Sequence, residues 1–403
     1  MMVRVIEYTD PVEHCPGYLV YDATSSRLAA GGCRMQSGLT ADTLHMLSSR
    51  MTLKQRVLGL NVDGAKCGIA YDPNGPRRLA VLRRFLEFLQ DELRARYSMG
   101  CDMGTQFAEL ESIAAMLGVE SVKIAIRHAQ GIPDHEFRAR MALLDTPVGP
   151  LTMGQRRAGH ALAHAALAAA AHGRHGGGQL SVSLQGFGTL GRACALALLE
   201  EGARITAIAD AYGCVVDPRG LDIAHMISID QRRPVPTLLG SPLRLSAEAL
   251  LDLPADVLVL AGGEDALTAE RAALLPVPVV AVGANYGLSD TAEQLLIDRG
   301  VVVVPDFIGG IGGSASMEAL FGPERTPGPE EVLQTLAGMM RELVGDILTG
   351  ARSLGVSPRR VAMDIASAAV VRPTERPYGS CPYREVTRPR GNRAAPLAST
   401  QRT

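Results

Sequence analysis

Lysine is scarce in this chain, and its placement is the first chemical clue. Of 40 basic residues only three are lysine: Lys54, Lys66 and Lys123. Arginine replaces lysine readily on a surface, but not where an amine must release a proton or act as a compact point charge. Lys54 and Lys66 stand twelve residues apart in MTLKQRVLGLNVDGAK, between GGCRM (31–35) and CDMGT (101–105). Asp102 adds a carboxylate, and Gly31 and Gly32 let a small ligand lie against the backbone. Two amines and a carboxylate brought together can move protons. A lysine near another cation and shielded from water loses its proton near neutral pH, and a carboxylate takes one up. The plainer reading, three solvated charges beside turns, stays open on these residues alone.

A second constellation binds rather than reacts. In SVSLQGFGTLGRACALALLEEGARITAIAD an apolar strand runs into Gly186-Phe187-Gly188-Thr189-Leu190-Gly191, a helix follows, and a second strand ends at Asp210. Gly186 permits the tight turn, Gly188 lets the backbone approach a pyrophosphate, and Gly191 allows close helix–strand packing. The helix start offers unpaired N–H groups to the phosphates. Asp210, 24 residues after the first glycine, suits a ribose hydroxyl and repels a 2′-phosphate, so NAD is expected over NADP.

These groups need a scaffold. A chain of 403 residues, 47% hydrophobic and 20% charged, has material for two cores. Residues 1–145 read as a mixed α/β domain. It has a strand at 17–23, a helix from Thr40 with Leu44, Leu47 and Met51 at helical spacing, and a helix at 78–97 striped by Leu82, Phe85, Leu86, Leu89 and Leu93. Residues 128–150 read as a linker. An Ala-rich helix (155–172) then leads into short apolar strands alternating with helices, the pattern of a parallel sheet covered on both faces. The fold expected is therefore α/β, with a Rossmann-type NAD-binding domain at 146–329. C-terminal helices follow at 330–371, and residues 373–403, rich in Pro and Arg, are expected to stay unfolded.

Other classes of function are disfavoured. A net charge of −2 argues against binding nucleic acid or an acidic membrane by bulk charge. No apolar run approaches the ~18 residues of a membrane span, and the N-terminus lacks a signal-peptide core. The seven cysteines are scattered without CxxC, so neither a disulfide scaffold nor a zinc ribbon is expected, and the expected compartment is a reducing cytoplasm. His160 and His164 sit one helical turn apart but lack the glutamate of a metalloprotease motif, so they read as packing residues and no metal is expected. Cys33, Cys67 and Cys101 likewise read as small packing residues.

Taken in order, GGCRM, MTLK, GAK, YSMGCDMGT, LTMG, QGFGTLG, AIADAYG, GAN and VVPD resemble the glutamate/leucine/phenylalanine/valine dehydrogenase family, and most closely its shorter leucine/phenylalanine/valine branch. The resemblance spans about residues 17–320. It implies NAD-dependent oxidative deamination of an L-amino acid to a 2-oxo acid and ammonia, reversible as reductive amination, by a homo-oligomer whose first domain carries substrate and subunit contacts. It assigns Lys54 to the substrate α-carboxylate and Lys66 to the attacking water and carbonyl oxygen. Asp102 is assigned to proton transfer at the substrate nitrogen. Gly31 and Gly32 fall in the substrate wall, Thr152 near the nicotinamide amide, Asn285 facing substrate and cofactor, and Ala261 beside the cofactor.

The resemblance also sets the side-chain pocket, through Ala30 and Gly100; Ser314 could bond a polar group on the substrate side chain, and Met317 can adapt its shape. The leucine-specific pattern has Leu and Ala where this chain has Ala30 and Gly100, so a bulkier amino acid such as phenylalanine is expected to be used better than valine. The chain departs from the family at Asp63 (usually Gly), Gln55 (commonly Asn), Gly310 (usually Asn) and Ser314 (usually apolar). An inward-pointing Asp63 would raise the Lys66 pKa. These departures leave a second reading open: a family-fold subunit that binds NAD without turnover.

Overall fold

The computed structural model describes residues 3–173, 178–240, 243–264 and 266–384. The chain forms two compact units. One runs to Arg138 and takes up Ile365–Cys381; the other is Ala139–Asp364 together with, among the described residues, 382–384. The division falls a few residues before the expected 145, and most of the C-terminal helical region belongs with the second unit.

The first unit contains β1 (Arg4–Thr9), β2 (Pro16–Tyr21), β3 (Leu28–Met35), α1 (Ala41–Val57), β4 (Val62–Ile69), α2 (Arg78–Ala95), β5 (Tyr97–Cys101), α3 (Phe107–Met116), α4 (Ala125–Gln130) and the first part of α5 (Asp134–Ala142), which crosses the division. Its sheet has the order β1-β2-β4-β3-β5. The β3–β4 and β3–β5 pairs are parallel, and the other two antiparallel. Thr40 caps α1 by accepting from the Thr43 amide, and α1 lies on β4 at Gly64, where a Cβ would meet Ser48 O and Thr52 N at 2.3 Å. The expected stripe of α2 is fully buried on the other face, with Phe85 against Gly17 of β2. Each such side chain contributes roughly 1.5–3 kcal/mol by leaving water.

Two expectations change here. Residues 128–150 are not a plain linker, because Gly131 is the left-handed C-cap of α4 and Pro133 precedes α5; both residues punctuate helices. Residues 373–384 are ordered rather than unfolded. Tyr378 exchanges two backbone bonds with the Gln130 amide, Asn61 binds Arg376 O and Arg372 N, and Tyr378 and Cys381 are buried. Side-chain amides pin this segment without any apolar periodicity. Residues 385–403 lie outside the described residues.

The second unit opens with the short hairpin β6 (Pro147–Val148) and β7 (Leu151–Thr152), then α6 (Met153–His172), β8 (Ser181–Gln185), α7 (Thr189–Glu200), β9 (Arg204–Asp210), β10 (Gly213–Val216), α8 (Ile223–Ser228) and β11 (Leu243–Leu245). It continues through β12 (Val257–Leu260), α9 (Ala269–Leu274), β13 (Val279–Val282), α10 (Asp290–Asp298), β14 (Val302–Val304), α11 (Asp306–Gly309), α12 (Gly312–Phe321), α13 (Pro329–Leu354) and, up to Asp364, α14 (Pro358–Ala368). The sheet order is β11-β10-β9-β8-β12-β13-β14. Strands β9, β8, β12, β13 and β14 are parallel, as the apolar runs imply, while β10 and β11 form an antiparallel edge. The order reverses around β8, so the carboxyl end of β8 is the switch point where such sheets bind ligands. No helix among the described residues is long and apolar enough to cross a membrane.

Candidate active site

Register puts the catalytic candidates on one face of the first sheet. Ala30 pairs with Gly64 and Ser98, and Gly32 with Gly100, so side-chain alternation sets Ala30, Gly32, Arg34, Lys66 and Gly100 on a common side. Lys66 Nζ lies 2.6 Å from Asp102 Oδ2, just beyond β5. Arg34 Nε donates to the same oxygen at 3.1 Å. Burial favours the protonated Asp102, but Lys66 and Arg34 outweigh it and hold the carboxyl below its usual range. Gly32 makes the pair possible: a Cβ there would stand 2.8 Å from Cys101 O and 3.2 Å from Lys66 Nζ. Gly31 answers to the sheet instead, since its Cβ would run into the Ala65 carbonyl. At Gly100 a Cβ would meet only Gly31 O, at 3.8 Å.

Lys54 is buried in the last turn of α1. Lys123, the third lysine, is also buried, with Nζ over the Phe107 ring at 5.7 Å, so it is no solvated bystander. Arg34 is the member that sequence reasoning missed. Its place two residues after Gly32 in a strand was the available signal.

Asp63 does not point at Lys66. It lies three residues earlier in β4, on the opposite face, and is fully buried. Its Oδ2 accepts from Ser26 N at 2.7 Å and Arg96 at 2.8 Å; its Oδ1 accepts from Ser26 Oγ at 3.1 Å and Arg56 at 2.6 Å. Arg56 also donates to the Leu60 and Val62 carbonyls, so Asp63 fastens the α1–β4 connection that follows the helix turn bearing Lys54. Cys33 and Cys67 pair side by side, buried, on that opposite face. The neighbouring Cys67 and burial push the Cys33 thiol well up, as befits a packing residue.

In the second unit the glycine turn ends β8. Gly186 has φ +91, and a Cβ there would stand 2.7 Å from Gly262 N, next to Ala261 at the end of β12. Gly191 packs α7 on the turn, its Cβ position overlapping Gly186 O, while a Cβ on Gly188 would meet nothing within 4 Å. The turn is thus closed behind and open at Gly188, where a pyrophosphate needs the backbone. Arg192 braces it: Nε donates to Phe187 O at 3.1 Å, and NH1 reaches Met226 O and Ile229 O. Thr189 bonds Gln231, and Leu190 is half-buried at the start of α7. Asp210 ends β9, with its oxygens accepting from Tyr212 N at 2.8 Å and Val235 N at 2.6 Å. A carboxylate offers about four acceptor sites, so capacity for a ribose remains.

Thr152 caps α6 in a reciprocal box with Gln155. Asn285 follows β13, and Ser314 and Met317 are buried in α12. His160 and His164 pack between α6 and α13, with Nε2 atoms 3.1 Å apart and His160 bonded to Leu333 O.

The model of the Glutamate/Leucine/Phenylalanine/Valine dehydrogenase family matches residues 155–376, and that of the Glu/Leu/Phe/Val dehydrogenase dimerisation domain matches residues 1–117. The chain belongs to this family. Its members are amino-acid dehydrogenases, oxidoreductases acting on CH–NH2 with nicotinamide cofactors. Glutamate dehydrogenase B of Halobacterium salinarum is 29% identical over 323 residues, covering 77% of this chain and 72% of the relative. Glutamate dehydrogenase of Aeropyrum pernix is 26% identical over 325 residues, covering 79% and 75%. Among solved structures, the Leu-bound form of the hetero-hexameric glutamate dehydrogenase from Thermus thermophilus superposes with a TM-score of 0.73 at 27% identity, over 91% of this chain and 87% of that one.

Proposed function

We propose that the protein oxidatively deaminates a bulky, apolar L-amino acid with NAD, and runs the reductive amination in reverse, as a homo-oligomer. The observation that carries the substrate reading is the recessed wall at Gly100, where a Cβ would touch nothing closer than Gly31 O at 3.8 Å. Ala30 and Gly100 offer neither bulk to fill that space nor charge to meet a second carboxylate such as glutamate's. This fits the leucine/phenylalanine/valine branch.

Gly186, Phe187, Gly188, Thr189, Leu190, Gly191, Asp210, Ala261, Asn285 and Thr152 would hold NAD, whose bound nicotinamide supplies the hydride acceptor for the substrate Cα. Lys54 binds the α-carboxylate. Asp102, kept ionised by Lys66 and Arg34, accepts a proton from the substrate nitrogen. Lys66 orients the water that adds to the substrate carbon and, as the cation that holds Asp102, steadies the oxygen that forms. The match of residues 1–117 to a dimerisation domain supports the homo-oligomer.

A panel of L-amino acids with NAD at alkaline pH, followed by NADH absorbance, tests this. Turnover is expected with kcat/KM for phenylalanine above leucine and valine. Tight NAD binding with no turnover on any amino acid would instead support the non-catalytic subunit, and better use of valine would defeat the pocket argument.

A further inference from the structure

The loop after β13 is strained. Tyr286 has φ +54, a left-handed conformation that side chains rarely adopt and that persists only where the surroundings over-determine it. Its amide donates to Asp306 Oδ2 at 3.1 Å. Asp306 opens α11, is 2% exposed, and accepts at Oδ1 from Arg359 of α14 at 2.8 Å. The same guanidinium grips Glu293 of α10, itself 4% exposed, with Nε–Oε1 at 2.8 Å and NH2–Oε2 at 2.6 Å. It also stands over the Phe307 ring at 5.6 Å. One cation from the C-terminal helix therefore bridges two buried carboxylates, and one of them holds the strained backbone next to Asn285.

We propose that Arg359 is a positioning residue for the reaction: through the Asp306 carboxylate it fixes the Tyr286 backbone and thereby the direction of Asn285. The proposal rests on the reading of Asn285 as a residue that faces substrate and cofactor. Without the guanidinium, Glu293 and Asp306 lose the cation they share, and the site relaxes by taking up a proton or water. Either change weakens the acceptor for the Tyr286 amide, and the tyrosine returns to an ordinary negative φ. Lysine cannot replace the arginine fully, because a single ammonium does not span both carboxylates with fixed fork geometry. Glycine at 286 would hold the left-handed turn without a side-chain penalty.

The test combines kinetics with amide exchange on the full-length protein. Arg359→Met is expected to lower kcat at least 10-fold and to speed exchange at the Tyr286 amide at least 10-fold. NADH binding, read by NADH fluorescence, is expected to weaken as Asn285 turns, but by less than the loss in kcat. Arg359→Lys should fall between. Tyr286→Gly placed in the Arg359→Met background should recover at least 3-fold in kcat, which a merely destabilised protein would not do. Fast exchange with unchanged kcat, or a kcat loss that neither Arg359→Lys nor Tyr286→Gly relieves, overturns the proposal. A wild-type protein inactive on every amino acid would overturn the dehydrogenase reading and this role with it. That case is recognisable because exchange at Tyr286 would still follow the residue at 359.

Discussion

Lys66 Nζ and Asp102 Oδ2 stand 2.6 Å apart, in direct hydrogen-bond contact, and Arg34 shares that oxygen from 3.1 Å. The carboxylate is thereby ionised and oriented before any substrate arrives. Two cations facing one carboxylate leave the site net positive, which favours an incoming α-carboxylate.

The closeness of that pair depends on a missing side chain. Gly32→Ala would place a methyl 2.8 Å from Cys101 O and 3.2 Å from Lys66 Nζ, so the strand or the lysine must shift. A kcat loss of about 10²-fold is expected, as for other small misplacements of reacting groups. Gly100→Ala makes only an ordinary contact at 3.8 Å and should fold normally. Its effect should be selective, lowering kcat/KM for phenylalanine more than for valine, in the range of 1–3 kcal/mol per carbon at about 25 °C. Equal losses on both substrates would separate Gly100 from the pocket.

Asp63 holds Arg56 and Arg96 at 2.6 and 2.8 Å in a fully buried site. Asp63→Ala strips these cations of their anion and should cost about 3–5 kcal/mol of unfolding free energy in urea. A loss below about 1 kcal/mol, the level of a surface pair, would mean that Asp63 does not fasten the α1–β4 connection.

His160 and His164 give stability a pH dependence. Burial, then the neighbouring His164 and Arg156, pushes the His160 pKa down to about 3; burial and Arg341 push His164 down to about 4. Glu201, 3.9 Å from His164 Nε2, does not reverse the shift. Folded imidazoles stay neutral while unfolded ones take protons below pH 6.5. Stability is therefore full above 6.5 and falls as pH drops from there toward 4, by up to about 1.4 kcal/mol per pH unit for each histidine. Urea midpoints across this window should slope for the wild type and flatten for the double replacement by leucine. Equal slopes would contradict the assignment.

Asp210 is expected to discriminate between cofactors. Asp210→Ala should weaken NAD and improve NADP relative to it, measured as the ratio of the two kcat/KM values. A wild-type protein that prefers NADP would contradict the ribose role.

The glycine turn, the parallel strands and the longer helices α1, α2, α6, α7 and α13 are legible in the sequence because each follows from a local pattern: apolar runs, helical spacing, or a glycine required by φ or close approach. The Lys66–Asp102 contact was anticipated only as a cluster, since the register that joins β3, β4 and β5 is not local. Asp63 illustrates the gap. Its proximity to Lys66 in sequence suggested an electrostatic conflict, yet strand alternation and two arginines distant in sequence give it a separate structural task. The order of segment 373–384 is not legible in the sequence, because what holds it is the amides of Asn61 and Gln130, which leave no periodic trace. The Arg359–Asp306–Tyr286 chain was equally invisible, joining residues from three separate elements and loops.

The most direct measurement is kcat with saturating NAD for the wild type, Lys66→Ala and Asp102→Asn, on the best amino acid of the panel. Both variants should lose at least about 10²-fold in turnover, the effect of removing a positioned acid–base group, while binding NADH normally. Lys54→Ala, run beside them, should act chiefly by raising the amino-acid KM. Turnover that survives intact in Lys66→Ala would contradict the account.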